Sequence, residues 1–277
     1  MVNKKIRFEN NNTVLVLILL SLAAGALIGY YYPREKETPN ANIQSPSILN
    51  PNPTISVTTV SQKDSMFDIN AQYPQFSLVD PAFNTKIATL INEKINTFKK
   101  NSTENWQARK ETATPEEKLG ENPETPFYFK ADWSPAQINK NYISFVVNIY
   151  SFSGGAHGDS EVYTFNYNLA TKKEVRFSEF IANSQENLSI ISKLAVEDLV
   201  SQRGNYGETN AADIKKELED GGAGPNMDNF NNFTFDDSII TIYYQKYQVG
   251  PGVLGIVKTI FQKNYLLDQK IKSEYLK

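Results

Sequence analysis

The residues best suited to chemistry lie in one glycine-rich stretch near the middle of the chain. Gly154, Gly155 and Gly158 surround His157, the single histidine among the 277 residues. Three glycines in five positions predict a turn with backbone angles that a Cβ would obstruct. The imidazole is suited to hydrogen-bonding a ligand, and equally suited to fixing the turn by bonding a neighbouring carbonyl. Asp159 and Ser160 have two possible roles, either as ligand contacts beside the histidine or as caps of the turn.

The remaining composition limits which functions the chain supports. There are no cysteines, which removes disulfides, thiolate metal sites and cysteine nucleophiles. The motifs HExxH, GxSxG and GxxxxGK[ST] are absent, so we predict no metal, no cofactor and no nucleotide chemistry. A formal net charge of −3 also argues against nucleic-acid binding, which requires a basic surface.

A short acidic segment resembles a known metal motif. Thr234, Phe235, Asp236 and Asp237 are similar to the metal-binding start of polysaccharide deacetylases, which need two further histidines. The same residues run into Ser238 and an alternating apolar segment, which is the pattern of a hairpin turn. We therefore interpret them as a turn.

Two alternating segments flank the glycine-histidine turn and must position it. The period of two predicts paired strands across residues 142–168, with one face of each strand in a core. The apolar positions are Ile143, Phe145, Val147 and Ile149 on the first strand, and Tyr163, Phe165 and Tyr167 on the second. The aromatic stripes are either sheet packing or a sugar-stacking or protein-binding surface.

The rest of the folded part mixes strands and helices without a regular βαβ repeat. Asp80 and Pro81 predict a helix start, followed by apolar residues at helical spacing up to Phe98. Further helices are predicted at 187–203 and 209–220, and further strands at 55–60, 66–73, 127–133, 174–177, 233–236, 239–245 and 256–261. We predict an α+β fold, in which helices pack on one face of a largely antiparallel sheet.

An uncharged apolar segment near the N-terminus indicates a membrane anchor. Residues 1–12 form a basic tail, and residues 13–32 carry no charge and have the length of a bilayer-spanning helix. We expect a single pass with the N-terminus in the cytoplasm. A cleavable signal peptide, cut near Ala24-Gly25-Ala26, is the alternative. A proline-rich linker is predicted at 33–59, and an extracytoplasmic domain at 60–277, with halves of about 60–140 and 141–277.

Three stretches of this chain resemble a known family. They are Tyr73-Pro74-Gln75-Phe76 with the helix after it, the turn 154–158 with the strand to Leu169, and residues 237–247 with the final strand. Together they resemble the extracytoplasmic DUF3298/DUF4163-type domain of RsiV-type anti-sigma factors and PdaC-type peptidoglycan deacetylases. The resemblance implies an α+β domain at the bacterial cell envelope, and RsiV-type members bind lysozyme. We expect neither sigma-factor signalling nor deacetylation here, since about twelve residues precede the span and few follow residue 267.

The function expected from the sequence is a membrane-anchored binding or sensor domain that is not an enzyme. Its partner would be a lysozyme-like protein or a cell-wall glycan such as peptidoglycan. The predicted ligand-binding residues are Gly154, Gly155, His157, Asp159 and Tyr247, the last beside a glycine-rich loop at 248–255. The alternative is a cell-wall glycan hydrolase using paired carboxylates, which the 31 acidic residues leave open.

Overall fold

The computed structural model describes residues 51–117, 119–271 and 273–276. The predicted tail at 1–12, the predicted anchor at 13–32 and most of the predicted linker lie outside these ranges. None of the helices within the ranges has the length and apolar composition that a bilayer span requires.

The strands of the described residues form a larger and a smaller sheet. The larger sheet has the order β1 (Ile55–Lys63), β2 (Phe67–Phe76), β3 (Phe127–Ile138), β4 (Tyr142–Phe152), β5 (Asp159–Asn168) and β6 (Lys173–Glu174). The smaller sheet has the order β7 (Phe233–Phe235), β8 (Ile239–Tyr244) and β9 (Val257–Gln262). Among the described strands, only β2 and β3 pair in parallel, and helix α1 (Pro81–Thr112) connects them.

The remaining helices follow the larger sheet in the chain. They are α2 (Phe177–Phe180), α3 (Gln185–Asn205), α4 (Ala211–Asp220) and α5 (Lys263–Asp268), with 3₁₀ turns at Met227–Phe230, Gly252–Leu254 and Glu274–Leu276.

Helix α1 covers one face of the larger sheet. The Asp80 side chain accepts a hydrogen bond from the Ala82 amide, and Pro81 occupies the first turn, as predicted. Residues at helical spacing bury against the sheet, among them Ile87 and Ile91. The facing sheet residues include Phe129, Ile143, Phe145, Val147 and Phe165. Burying each of these large side chains contributes about 2 kcal/mol, so this layer fixes the sheet.

The smaller sheet packs on the face of β4 and β5 that points away from α1. There, polar side chains of β4 and β5 make the hydrogen bonds to β7 that a neighbouring strand would otherwise make. The Phe233 amide donates to Thr164 Oγ1 at 3.0 Å, and Asn166 Nδ2 donates to the Phe233 carbonyl at 2.7 Å. Ser144 Oγ accepts from the Phe235 amide at 2.9 Å and donates to Asn166 Oδ1 at 2.7 Å. The free edge of β7 is therefore satisfied by side chains of the larger sheet.

A second core lies between the smaller sheet and helices α2–α4. It includes Phe177, Phe180 and Leu199, all almost inaccessible to solvent. At its border the buried guanidinium of Arg203 donates to Glu208 at 2.6 and 2.9 Å, and to Glu217 at 3.0 Å. These hydrogen bonds raise the pKa of Arg203, so the group stays charged at every accessible pH.

The α+β prediction with a mostly antiparallel sheet is confirmed, with three corrections. There are two sheets rather than one, because the hairpin of β7 and β8 pairs with β9 and not with the central strands. Residues 55–59 were predicted both as the end of the linker and as part of a strand, and the structure puts them in β1, because their β-branched residues pair with β2. The predicted strand at 174–177 stops at Glu174, since Phe177 opens α2 and enters the second core.

Lys263 gives a testable property of this fold. The residue is buried, its Nζ lies 5.4 Å from the centre of the Phe235 ring, and burial lowers its pKa from the ordinary 10.5 despite the nearby Asp237 and Asp236. Removing this desolvated charge by Lys263→Met should raise the free energy of unfolding at pH 7 by roughly 1 kcal/mol.

The pH dependence follows from the lowered pKa. Between the folded pKa and 10.5 the unfolded chain binds more protons, so the wild-type protein gains stability as pH rises through that window. The advantage of Lys263→Met should therefore shrink from pH 7 to pH 10, measured by denaturant unfolding. Lys193→Met, at an exposed position of α3, is the control. An advantage that is constant with pH would contradict the assignment.

Candidate functional site

The smaller sheet leaves one end of the larger sheet's face uncovered. Residues on β3, β4 and β5 that point away from α1 line this end and form an open cavity of about 450 Å³. We call it the trough; its outward-facing residues are Tyr128, Lys130, Asp132, Asn148, Tyr150 and Ser160, and Ile256 lies at its border. Strand register explains the grouping, because Lys130, Tyr150 and Ser160 are direct cross-strand neighbours, as are Asp132 and Asn148.

Aromatic rings and polar groups lie side by side in the trough. The ring centres of Tyr128 and Tyr150 are 6.2 Å apart, and Tyr150 is 44% exposed. Lys130 Nζ lies 2.9 Å from Asp132, and this hydrogen bond raises the pKa of Lys130. Asn148 Nδ2 lies 3.5 Å from the same carboxylate. The surface thus combines a flat apolar contact with hydrogen-bonding groups of both signs, which is the chemistry that a sugar ring requires.

The glycine-histidine turn borders the trough and positions Tyr150. Gly154 and Gly155 have positive φ angles of 92° and 96°, which explains the glycines. A Cβ on Gly158 would lie 2.3 Å from the Tyr150 hydroxyl oxygen and 2.4 Å from its Cζ. Glycine at position 158 therefore leaves the space that the Tyr150 ring occupies.

His157 lies exposed on this turn. Its Nδ1 is 3.0 Å from the carbonyl oxygen of Gly158, the next residue. The ring thus makes a hydrogen bond within the turn, as in the structural role considered from the sequence, and its remaining edge faces solvent.

Asp159 and Tyr247 come together through a lysine that the sequence did not single out. Lys246 Nζ lies 3.2 Å from Asp159 Oδ1 and 5.2 Å from the centre of the Tyr247 ring. Tyr247 is 65% exposed, and its ring occupies the position that a Cβ on Gly252 would need. The structure therefore joins the turn at 154–158 to the loop at 248–255, and Asp159 is adjacent to Ser160 of the trough.

Sequence reasoning found the turn but missed the trough itself. Tyr128, Lys130 and Asn148 were not predicted as site residues. The signal was present, because all three occupy outward positions of strands whose inward positions are apolar. An alternating strand shows which residues leave the core, but not which of them a second sheet covers.

Asp236 and Asp237 of the acidic segment lie in the turn between β7 and β8, whereas Thr234 and Phe235 belong to β7. The Asp236 carboxylate accepts from the amides of Ser238 at 2.7 Å and Ile239 at 2.8 Å, and Asp237 accepts from Gln137 Nε2 at 2.6 Å. Within the described residues, no three or more histidine and acidic side chains are grouped so that they could hold a metal ion.

Two family models match separate parts of this chain. A model described as "Deacetylase PdaC" matches residues 60–160, which include the trough on β3–β5. A model described as "Protein of unknown function (DUF3298)" matches residues 178–262, which include the smaller sheet. The chain contains a DUF3298-type domain.

Solved structures share the fold of this DUF3298-type domain. A DUF3298 family member from Bacteroides fragilis NCTC 9343 aligns with a TM-score of 0.52 at 16% identity, covering 79% of this chain and 93% of that one. A DUF3298 family protein from Pseudomonas aeruginosa PAO1 aligns with a TM-score of 0.50 at 13% identity, covering 81% and 94%. The predicted resemblance to the DUF3298 type is therefore confirmed.

One curated relative corrects the expectation about catalysis. The peptidoglycan-N-acetylmuramic acid deacetylase PdaC of Bacillus subtilis (strain 168) is 25% identical over 263 residues, which cover 94% of this chain and 50% of the relative. The chain thus spans half the length of that relative. The sequence predicted that this chain is not an enzyme. This finding contradicts the prediction, because the matching protein is named for an enzymatic reaction.

Proposed function

We propose that this chain is a membrane-anchored protein of the bacterial cell envelope, whose DUF3298-type domain binds the N-acetylated glycan of the cell wall in the trough. The observation that carries the proposal is the exposed Tyr150 ring, next to Tyr128 and bordered by Lys130, Asp132 and Asn148. The relative named for deacetylating N-acetylmuramic acid supports the same class of ligand.

A glycan suits the trough better than a lysozyme-like protein does. The cavity is concave, has the volume of a few sugar rings and alternates aromatic with polar side chains. A protein partner of ordinary affinity would need an interface of roughly 800 Å² on this domain, with buried aromatic anchors. Binding of a lysozyme-like protein is the alternative that the binding experiment tests.

The predicted anchor and linker complete the proposal. A span at 13–32 with a cytoplasmic N-terminus would put the domain outside the membrane. The proline-rich segment between the span and β1 would then give the domain a reach of roughly 25–30 Å from the membrane. A protease-protection assay on intact cells tests this topology, and protection of the domain would contradict it.

Direct binding tests the proposed ligand. The purified full chain is titrated by calorimetry with the tetramer of β-1,4-linked N-acetylglucosamine, and in parallel with lysozyme, in buffer containing mild detergent. We expect saturable binding to the tetramer and co-sedimentation with isolated peptidoglycan. If the chain binds lysozyme and neither the tetramer nor peptidoglycan, the proposed ligand is wrong and the partner is a protein.

Gly158 of the turn leaves space for the Tyr150 ring, so a substitution there tests whether that ring contributes to binding. Gly158→Ala should displace the Tyr150 ring and lower tetramer affinity about tenfold, because the contact surface of the ring moves out of the trough. Gly204→Ala is the matched control, since nothing lies within 4 Å of the Cβ it would carry. Equal affinities of the two variants would show that Tyr150 does not form the binding surface.

The curated relative favours a second candidate, removal of acetyl groups from peptidoglycan. Acetate release from N-acetylated peptidoglycan by the full chain tests it. Release of many equivalents per protein molecule would establish the activity, and release equal to the blank would remove it. Reducing ends measured in the same reaction would detect glycan hydrolysis.

A further inference from the structure

A second cleft lies along the outer edge of β5, away from the trough. Two cavities of about 780 and 710 Å³ meet there, and both are lined by Thr164 and Lys86. Lys86 pairs with Glu174 at 2.5 Å, which joins α1 to β6 at this cleft. The edge of β5 between the two cavities is the feature that carries the inference.

Between the two cavities, the edge of β5 has one residue, Thr164, whose outward amide and carbonyl both lack a hydrogen-bond partner among the described residues. The side chain of Gln245 binds both backbone groups of Val162. The Val162 carbonyl accepts from Gln245 Nε2 at 2.5 Å, and the Val162 amide donates to Gln245 Oε1 at 3.2 Å. The Asn166 carbonyl accepts from the Val175 amide at 2.9 Å. Because outward backbone groups alternate along a strand, those of Thr164 point to the same side as those of Val162 and Asn166.

Thr164 therefore presents one amide donor and one carbonyl acceptor side by side. Among the residues described by the structure, neither group has a hydrogen-bond partner, and Thr164 is partly exposed. A peptide cannot add here as a strand, because strand addition would also need the groups of Val162 and Asn166. The free edge fits a small group with an adjacent donor and acceptor.

The walls of the cleft add a preference for an apolar substituent. The larger cavity lies between α1 and β5, and its lining is mainly apolar, including Leu90 and Phe165 with the methyl-bearing Ala82, Thr85 and Thr89. The smaller cavity is polar and is lined by residues such as Lys173, Arg176 and Glu179. A ligand spanning the edge would place a methyl group on the α1 side and hydroxyls on the other side.

We infer that the β5-edge cleft binds a 2-acetamido sugar of the glycan. This inference rests on the proposed function and adds a second contact that selects acetylated sugars. The acetamido N–H donates to the Thr164 carbonyl, the neighbouring 3-hydroxyl oxygen accepts from the Thr164 amide, and the acetyl methyl packs against Leu90 and Phe165. A sugar without the acetyl group loses the methyl contact with Leu90 and Phe165.

Two ligands and one pair of variants test the inference. The ¹⁵N signal of the Thr164 amide in the full chain is followed during titration with the N-acetylglucosamine tetramer and with the glucosamine tetramer. We expect a saturable shift with the acetylated tetramer alone. Thr89→Trp, which fills the apolar cavity from an exposed position of α1, should lower affinity about tenfold, and Thr97→Trp, exposed on the same helix, should leave it within twofold.

The outcomes separate this inference from the proposed function. Shifts at Tyr150 without a shift at Thr164, or equal affinities of the two tryptophan variants, would overturn the cleft assignment and leave the trough. A shift at Thr164 without shifts in the trough would overturn the trough as the glycan site and leave the cleft. A wild-type chain that does not bind the tetramer rejects both.

Discussion

Asn166→Leu should lower the free energy of unfolding by about 3 kcal/mol or more. Asn166 bonds both the Phe233 carbonyl and the Ser144 hydroxyl, and Ser144 in turn bonds the Phe235 amide. Leucine fills a similar volume but leaves the Phe233 carbonyl buried without its partner. The loss falls on the contact between the two sheets, so denaturant unfolding measures it directly.

A double-mutant cycle separates the network from simple packing. Ser144→Ala and Asn166→Ala should be less than additive, since either change breaks the same chain of bonds. Asn96→Leu, at an exposed position of α1, is the control and should change stability by less than about 0.5 kcal/mol. A loss of under 1 kcal/mol for Asn166→Leu would mean that the sheets pack without this network.

The second large effect concerns binding. Tyr150→Ala should weaken tetramer binding by about 30-fold, because the change removes an exposed aromatic ring face from the trough. The change should leave stability nearly unaffected, since the ring is 44% exposed. Calorimetric titration gives the affinity, and thermal unfolding of the same sample gives the stability.

Tyr265→Ala is the matched control, because Tyr265 is 47% exposed and lies on α5, outside the trough. Its affinity should equal that of the wild type. Tyr150→Phe should retain most of the affinity, which would attribute the effect to the ring face. Equal losses for Tyr150→Ala and Tyr265→Ala would point to a general change in the protein.

The local elements could be predicted because their signals are local. The alternation from Ile143 to Ile149 sets the inward face of β4, and all four predicted apolar positions are buried against α1. Asp80 and Pro81 mark the start of α1 correctly. The end of α1 was not fixed by the sequence, because the helix continues to Thr112 as a polar, largely exposed extension.

The arrangement of the two sheets could not be predicted, because it depends on contacts distant in sequence. Ser144 and Asn166 look like outward, solvated residues of a hairpin, yet they bind β7 some 70 to 90 residues later. The same docking decides that Asn148 and Tyr150 remain open. The trough thus results from where the smaller sheet ends, which no pattern within β3–β5 encodes.

The crystal structure of the chain with the N-acetylglucosamine tetramer tests the central claim most directly. We expect a sugar ring against the Tyr150 face, with hydroxyls within hydrogen-bond distance of Asn148 and Lys130. A tetramer bound elsewhere, with the trough free of sugar, would contradict the proposed site and the function built on it.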